Sequence, residues 1–339
     1  MNGNKLTLLS RQFVFDEGKY FYSCHASTVV KLDDENVMIA CFGGTREGNN
    51  DVKIWLTSTN GDTFREPIKF SYDDDIPHWN PVLFRGGNGK PDDEIILYFK
   101  VSNKISNWKT MYSVSNNNGM SWSEIRELVP NDLSGGRGPV KNKPLRLSDG
   151  TWIAPRSLEP TSAWFVELDR SADQGRTWQP LHPITYKIND NIINGLQTIK
   201  TNGIIQPSLW ESPNGHVHMF TRSTWGRIYR SDSEDYGITW SPAYETDLPN
   251  NNSGIDLDQT IDGTLVLCYN NVSANWGKRT PLNLAYSTDN GQTFINDLVL
   301  EDEEGEFSYP SILADGNILH VVYTWNRKNI VYSKILCNP

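Results

Sequence analysis

Residues 171–178 read Ser-Ala-Asp-Gln-Gly-Arg-Thr-Trp, and this pattern decides the fold because it recurs about every 55 to 60 residues along the chain. Complete copies begin at Ser171, Ser233 and Ser287, a softened copy begins at Ser115, and a copy that is one residue shorter begins at Ser58. A fixed period of this length is typical of repeat architectures, in which each repeat is one structural unit. The sequence therefore predicts an array of similar units.

The residue types of the repeated pattern favour a tight turn for physical reasons. Asp and Ser side chains hydrogen-bond to backbone two residues further on, and Gly supplies a positive φ. A second signal accompanies the first: a short turn of Asx-Gly type between alternating apolar runs, which is typical of β-hairpins. These turns lie at 33–36, 86–89, 149–150, 214–215, 262–263 and 315–316. Six hairpins and five turn motifs together predict six four-stranded sheets.

We therefore expect an all-β fold, a six-bladed β-propeller with a turn of this kind in most blades. Residues 1–339 are expected to form one such domain without a linker. The last repeat lacks the turn motif, so the N-terminal run from Leu6 to Phe15 is expected to supply its missing strand and close the ring. Closure protects strand edges that would otherwise invite aggregation.

Composition narrows the class of function. The net charge of −10 argues against a nucleic-acid-binding surface. No apolar run is long enough to span a bilayer, so membrane insertion is not expected. Residues 1–15 lack the basic start and the continuous apolar stretch of a signal peptide. The compartment is therefore open: the protein is cytoplasmic, or the sequence begins after a leader.

The residues that usually bind metals show no pattern that would do so here. His216 and His218 alternate along a predicted strand and share a face, but no third ligand lies near them in the sequence. The cysteines are widely spaced and are expected to be buried free thiols: Cys24, Cys41, Cys268 and Cys337. We expect no metal and no cofactor.

Aligning the six hairpins places polar residues at equivalent positions around the predicted axis. Where each innermost strand begins, the chain has His25, Asn80, Lys143, Gln206, Asp256 and Tyr309. At the end of each second strand it has Arg46, Lys100, Arg156, Arg222, Asn271 and Trp325. Four of the second six are cationic on an acidic chain, and Arg holds carboxylates through its planar fork. The sequence predicts a basic cavity for an anionic ligand at one mouth of the propeller.

With these residues in view, the chain resembles the sialidase (neuraminidase) superfamily over essentially its whole length. The turn motif is similar to that family's Asp-box, also called the bacterial neuraminidase repeat, and the family folds as a six-bladed propeller. Three further segments resemble the family's site segments: 206–223, 278–287 and 307–316.

The resemblance implies a role for several residues. Tyr309 would be the nucleophile, a residue type that separates sialidases from glycosidases with two catalytic carboxylates. Arg222 and Arg279 would hold the carboxylate of the substrate. Asp51 would be the acid/base, although Glu47 lies four residues away in a similar loop.

The chain departs from the family at two places. The family's first arginine stands in an Arg-Ile-Pro sequence, whereas the matching stretch 24–27 places His25 there. The Glu beside the family's nucleophile is replaced by Gln206, which cannot take a proton. The first change weakens the carboxylate clamp, and the second removes the usual activator of Tyr309.

Three hypotheses of function follow. The first is an exo-acting glycoside hydrolase that releases a terminal acidic sugar, most plausibly sialic acid, from a glycan or sialoglycoconjugate. The second is a lyase or hydrolase of uronic-acid glycans that uses His25 and Tyr309 as base and acid. The third is a non-catalytic carbohydrate-binding propeller, since a fold does not fix a function.

Overall fold

The computed structural model describes residues 4–90, 92–160, 163–188, 191–193 and 202–339, and these form six antiparallel sheets that are the blades of a six-bladed β-propeller. The first three blades contain the following strands. Blade 1 has Ser23–Lys31, Val37–Gly44, Lys53–Asn60, Thr63–Phe64 and Ile68–Phe70; blade 2 has His78–Arg85, Ile95–Val101, Lys109–Ser115 and Arg126–Glu127; blade 3 has Leu145–Arg146, Trp152–Leu158, Phe165–Ser171 and Gln179–Pro180.

The other three blades have four strands each. Blade 4 has Ile204–Ser212, His216–Ser223, Arg227–Ser233 and Tyr244–Pro249; blade 5 has Asp256–Gln259, Leu265–Asn270, Leu282–Ser287 and Ile295–Glu301; blade 6 has Phe307–Asp315, Ile318–Trp325, Asn329–Cys337 and Leu6–Phe13. Short strands Tyr186–Ile188 and Asn191–Ile193 pair with each other, and single 3₁₀ turns occupy Ile105–Asn107 and Pro213–Gly215. Among the described residues, no helix is long and apolar enough to cross a membrane.

The core lies between neighbouring blades. The second strand of blade 1, Val37–Gly44, is buried along its whole length because both of its faces are covered. Such strands are continuously apolar rather than alternating. Ala40 and Phe42 of this strand belong to one apolar cluster with Leu97 and Phe99 of blade 2. All four cysteines are buried free thiols, as the sequence predicts.

The predicted turn motif forms the same hydrogen bonds in each complete copy. In the copy that begins at Ser287, Ser287 Oγ donates to Asp289 Oδ1 (2.7 Å) and accepts from Gly291 N (2.9 Å). Asp289 Oδ2 accepts from Thr293 Oγ1 (2.6 Å). Gly291 has φ = 73°, which explains the invariable glycine of the repeat. The shorter copy at Ser58 differs: residues Asn60 and Thr63 pair directly as a tight hairpin.

The ring closes as the sequence predicts. Strand Leu6–Phe13 pairs antiparallel with Asn329–Cys337, so that Leu6 lies opposite Cys337 and Phe13 opposite Val331. The pairing ends at Phe13, whereas the predicted run reaches Phe15.

A bulge interrupts the first strand of four blades at an equivalent point. The strand register shifts between His25 and Thr28, between Trp79 and Val82, between Ile205 and Ser208, and between Ser308 and Ser311. Each shift contains a residue in the left-handed region, and blade 3 has a fifth such residue just before its short first strand. Their φ angles are 55° for Ala26, 40° for Asn80, 64° for Lys141, 57° for Gln206 and 53° for Tyr309. Bulges redirect side chains next to functional sites, and here they redirect them at one end of the propeller.

Candidate active site

Tyr309 lies at the centre of a polar cluster built by the bulges of blades 4 and 6. Its phenolic oxygen accepts hydrogen bonds from Arg222 Nη1 (2.7 Å) and from Gln206 Nε2 (3.3 Å). Arg222 Nη1 also donates to Gln206 Oε1 (3.2 Å), which fixes the orientation of the amide. Two donors, one of them a cation, therefore point at the oxygen of Tyr309.

Arg222 is buried and comes from the second strand of blade 4. Its Nε donates to Asn252 Oδ1 (3.0 Å). The rings of Trp164 and Trp276 cover the guanidinium, with centroids 5.3 and 5.9 Å from Cζ. Among the described residues, Arg222 forms no ion pair with a carboxylate, so its charge is held by neutral oxygens and aromatic faces.

A second group of charges adjoins the ring of Tyr309. Arg279 Cζ lies 5.5 Å from the Tyr309 centroid, and Arg279 Nη1 donates to Glu306 Oε1 (2.6 Å). Arg327 Nε donates to the same oxygen (2.6 Å), while its Nη1 bonds the carboxylate of Glu47. Burial alone would raise the pKa of Glu306, but the charges of Arg279 and Arg327 lower it below its ordinary value.

Two of the three arginines, Arg279 and Arg327, line a cleft beside this group. The cleft has a volume of about 330 Å³, and its walls include Trp276, Arg279, Glu306 and Arg327. Glu47 and Glu306 pair with Arg279 and Arg327, whereas Arg222 pairs with no described carboxylate. On a chain whose net charge is −10, a buried guanidinium of this kind beside two further arginines favours an anionic ligand.

His25 packs against Tyr309. The two ring centroids are 4.1 Å apart with planes at 44°, and His25 Nδ1 is 2.9 Å from Thr324 Oγ1. Its Nε2 is buried with no hydrogen-bond partner among the described residues. Burial lowers the pKa of His25 well below its usual range, and the charge of Arg327 lowers it further. The imidazole is therefore neutral at physiological pH.

Lys141 forms the floor beneath this group. Its Nζ donates to Asn142 Oδ1 (2.8 Å) and to the backbone oxygen of Ile255 (2.6 Å). Burial lowers its pKa to about 7. A Cβ added at Gly254 would lie 2.9 Å from Lys141 Cε and 3.3 Å from Gln206 Oε1, so a side chain there would displace Lys141.

The structure brings together Tyr309, Gln206, Arg222, Arg279 and His25, all predicted from the sequence. It places other predicted residues elsewhere. Lys143 and Asp256 do not contact this group: Lys143 Nζ donates to the backbone oxygen of Ile312 (2.8 Å), and Asp256 accepts from Ser208 Oγ (2.6 Å). The prediction aligned blade 3 two residues too far along, because Lys141 occupies the left-handed position there.

Arg156 is also away from the Tyr309 group. It is buried, its Nη1 bonds the carboxylate of Glu167, its Nε donates to the Gly136 oxygen (2.9 Å) and its Nη2 to Ser134 Oγ (2.6 Å). Its hydrogen bonds thus hold a loop of its own blade.

The remaining predicted residues lie at the rim or in neighbouring blades. Asn80 is buried at the bulge of blade 2, and the side chain of Arg46 is exposed. Asp51 is exposed, and its Oδ2 accepts from the backbone N of Thr45 (2.7 Å) and from the Thr45 hydroxyl. Glu47, in the same loop, does contact the site, because its carboxylate pairs with Arg327.

Sequence reasoning missed Arg327 and gave no role to Glu159. Arg327 follows Trp325 by two residues, in a hairpin where Asn326 and Arg327 both have positive φ, so the alignment at Trp325 stopped short of it. Glu159 follows the second strand of blade 3, and its Oε1 has no partner among the described residues. Burial raises the pKa of Glu159, and the nearby charge of Arg222 offsets this only in part. Glu159 could have been noticed in the sequence, because its carboxyl group stands at the end of a predicted strand.

Solved structures share this fold at low sequence identity. A protein of unknown function from Dyadobacter fermentans has a TM-score of 0.76 at 14% identity, over 98% of this chain and 100% of that one. Hadza microbial sialidase Hz136 has a TM-score of 0.75 at 14% identity, over 96% of this chain and 68% of that one. Trypanosoma rangeli sialidase in complex with sialic acid has a TM-score of 0.69 at 15% identity, over 97% of this chain and 58% of that one.

The chain thus spans less than three fifths of the Trypanosoma rangeli enzyme. No curated protein matches the sequence. The family model described as BNR repeat-like domain matches residues 35–321, which include all five copies of the turn motif and the Tyr309 bulge. The protein is therefore a member of the BNR repeat-like domain family, built on the six-bladed propeller that sialidases also use.

Proposed function

We propose that the protein is a glycosidase that releases a terminal acidic sugar, with sialic acid as the best candidate, and that Tyr309 is its nucleophile. The observation that carries the proposal is the arrangement around Tyr309: Arg222 donates to its oxygen, Arg279 lies against its ring, and Arg327 lines the same cleft as Arg279. Arginines are suited to a carboxylate beside an anomeric carbon because the fork geometry matches two oxygens.

In the proposed reaction, Tyr309 attacks the anomeric carbon as the glycosidic bond breaks. The carboxyl group of Asp51 gives its proton to the leaving oxygen, and water later releases the sugar from Tyr309. Arg222 and Arg279 hold the sugar carboxylate, with Arg327 beside them. Arg222 and Gln206 also donate to the Tyr309 oxygen, which stabilises the negative charge that develops there as its proton passes to solvent water. Gln206 takes no proton in this scheme.

Asp51 is proposed as the acid because it has no ion pair among the described residues, whereas Glu47 is paired with Arg327. An acid matters most for a poor leaving group. Asp51→Asn should therefore lose far more activity on a sialyl-lactose than on a sialoside with a phenolic leaving group. Glu47→Gln is the matched control, and Glu159→Gln tests the third carboxyl group. If Glu47→Gln or Glu159→Gln shows the leaving-group dependence instead, the role belongs to that residue.

The test of the proposal is fluorophore release from a synthetic α-linked sialoside. The wild type should release the fluorophore, and Tyr309→Phe should be at least about a thousandfold slower with an unchanged melting temperature. A 3-fluorosialyl fluoride should label Tyr309 covalently in the wild type. Binding of sialic acid without any product from the wild type would overturn the enzyme assignment and leave a carbohydrate-binding propeller.

One observation favours a second candidate, an eliminating enzyme for uronic-acid glycans. The neutral His25 packs on Tyr309 and its buried Nε2 has no partner among the described residues. In that reaction His25 would take the proton beside the uronate carboxyl, Tyr309 would protonate the leaving oxygen, and a carbon–carbon double bond would form. An unsaturated product with new near-ultraviolet absorbance, lost in His25→Gln, would support it and contradict the first candidate.

A further inference from the structure

A second chemically organised group lies in blade 4, at the other end of the strand that carries Gln206. It consists of Ser212, His218 and Asp232, which come from three consecutive strands of one sheet. Ser212 follows Gln206 by six residues, which corresponds to about 20 Å along a β-strand. This group is therefore separate from the Tyr309 site.

Strand register places the three side chains on one face. Trp210 lies opposite His218, and His218 lies opposite Asp232, so these pairs share a face of the sheet. Ser212 is two residues beyond Trp210 and therefore points the same way. It is the last residue of its strand, directly before the turn Pro213–Gly215, and it is partly exposed.

Hydrogen bonds link the three side chains in a row, from Ser212 through His218 to Asp232. Ser212 Oγ lies 2.8 Å from His218 Nε2, and His218 Nδ1 lies 2.6 Å from Asp232 Oδ1. Because a carboxylate only accepts, Nδ1 carries the proton, with Arg230 Nη2 3.3 Å from that nitrogen. The lone pair of Nε2 then accepts the hydroxyl proton of Ser212, which is the closer of its two donors. This is the relation of nucleophile, base and orienting acid that activates a serine.

Asp232 is held firmly as a carboxylate. Its Oδ1 also accepts from Arg230 Nε (2.8 Å), and its Oδ2 accepts from Tyr244 Oη (2.8 Å). Burial alone would raise the pKa of Asp232, but the hydrogen bonds from His218 and Arg230 lower it to about 2. The ring of Trp210 stacks on His218 with centroids 5.0 Å apart, which fixes the plane of the imidazole.

The repeat turn of blade 5 supplies a fourth group. Asn290 Nδ2 lies 3.1 Å from His218 Nε2, and Asn290 Oδ1 accepts from Trp210 Nε1 (2.8 Å), which fixes the orientation of the amide. The amide N–H therefore shares the lone pair of Nε2 with the Ser212 hydroxyl. When Nε2 takes the hydroxyl proton, this N–H loses its acceptor and becomes available to another oxygen. An asparagine amide next to a nucleophilic serine is a known donor to the oxyanion of acyl transfer.

We propose that Ser212, His218 and Asp232, with Asn290, form a second catalytic site that hydrolyses short-chain carboxylic esters. Ser212 Oγ attacks the ester carbonyl carbon, and its proton passes to His218 Nε2. The bond to the alcohol oxygen breaks, and the alcohol leaves with that proton. Water then attacks the acyl-serine, His218 takes a proton from it and returns it to Ser212, and a carboxylic acid is released. No other reactant is needed.

The experiment uses the whole chain and two probes. A fluorophosphonate should add one adduct by intact mass, mapped to Ser212, and 4-nitrophenyl acetate should be hydrolysed. Ser212→Ala and His218→Gln should each lose both reactions, with the ester rate falling about a hundredfold or more towards the rate in buffer. Ser148→Ala is the matched control, because Ser148 is an exposed hydroxyl nearby that bonds Glu211 and no imidazole, and its rates should equal those of the wild type.

The outcome that overturns the proposal is equally specific. No adduct at Ser212, or an ester rate that is the same in Ser212→Ala as in the wild type, would show that the serine is not a nucleophile. Melting temperatures of all variants separate this result from unfolding, and Ser212→Ala removes only one oxygen. Asn290→Ala should keep the adduct but slow ester hydrolysis about a hundredfold to a thousandfold, as loss of an oxyanion donor does.

Discussion

Arg222 of blade 4 and Arg156 of blade 3 occupy equivalent positions in the repeat, and both are buried, yet their surroundings differ in kind. Arg156 faces the carboxylate of Glu167 as well as backbone and serine oxygens. Arg222 faces Tyr309, Gln206 and other neutral groups, and no described carboxylate pairs with it. The repeat thus determines where an arginine lies, whereas its acceptors determine what it does. A buried guanidinium without a carboxylate is suited to bind an anion.

The largest effect is expected from Arg222→Ala. If Arg222 holds the substrate carboxylate and stabilises charge on Tyr309, kcat/KM for a sialoside should fall about a thousandfold, or about 4 kcal/mol. The melting temperature should fall by less than in Arg156→Met, because the groups that lose Arg222 are neutral and no buried carboxylate loses its counter-ion. Steady-state kinetics and melting curves check this. If Arg222→Ala instead lost much stability and kept normal specific activity, Arg222 would have the same structural role as Arg156, and the contrast between the two arginines would be wrong.

The second effect is expected from Arg156→Met, and it should be on stability. The carboxylate of Glu167 would stay partly buried without its partner, which costs about 3 kcal/mol of unfolding free energy. Activity of the folded fraction should be unchanged. Denaturant unfolding measures the loss, and the double variant Arg156→Met/Glu167→Gln should recover most of it. If the double variant is no more stable than the single one, the ion pair is not the cause.

Lys100 and Lys141 sharpen the contrast, because burial lowers the pKa of each to about 7 while only Lys141 lies beneath Tyr309. Lys100 bonds Thr110 Oγ1 (2.6 Å) and the oxygen of Arg137 (3.0 Å). Between pH 7 and the unfolded value of 10.5, the unfolded chain binds more protons, so stability rises with pH. Lys100→Met should reduce that slope by about 1.4 kcal/mol per pH unit and leave ligand affinity unchanged. Urea unfolding at several pH values tests the slope.

The smallest effect is expected from Lys141. Its ammonium adds a positive charge below the cleft at pH values under about 7, and the charge is lost as the pH rises through that value. Affinity for an anionic sugar should therefore weaken severalfold, by about 1 kcal/mol, between pH 6 and 8. Titration calorimetry with the wild type and Lys141→Met checks this, and the variant should lack the change. An equal pH dependence in both proteins would exclude Lys141 as its source.

The repeat made the fold predictable, since period and turn chemistry are properties of the sequence alone. The same register located Arg222, Gln206 and Tyr309, because each lies at a repeat-equivalent position of its blade. It failed for Lys143, because the left-handed residue of blade 3 precedes a first strand of only two residues. It failed for Asp256 because the left-handed residue of blade 5, Asn252, lies four positions earlier. Arg327 was missed for a related reason: two left-handed residues in one hairpin shift it out of the alignment.

The role of Arg156 could not be predicted from the sequence, for a different reason. Its partner Glu167 lies on the neighbouring strand, directly opposite it. Pairing of this kind becomes visible only when the register of two strands is known. The group of Ser212, His218 and Asp232 has the same origin, and a pair of alternating histidines was its only trace in the sequence.

The closing of blade 6 by the strand Leu6–Phe13 has a consequence for the order of folding. Strand Leu6–Phe13 precedes all the other blade strands and pairs with Asn329–Cys337, which follows all of them, so the ring cannot close before all six blades have been synthesised. The contacts of this pair have nearly the largest sequence separation the chain permits, and such contacts form late and slow folding. Blades 1 to 5 can form from local hairpins while the first strand waits. We expect the seam between the two ends to be the last part of the molecule to gain protection from hydrogen exchange.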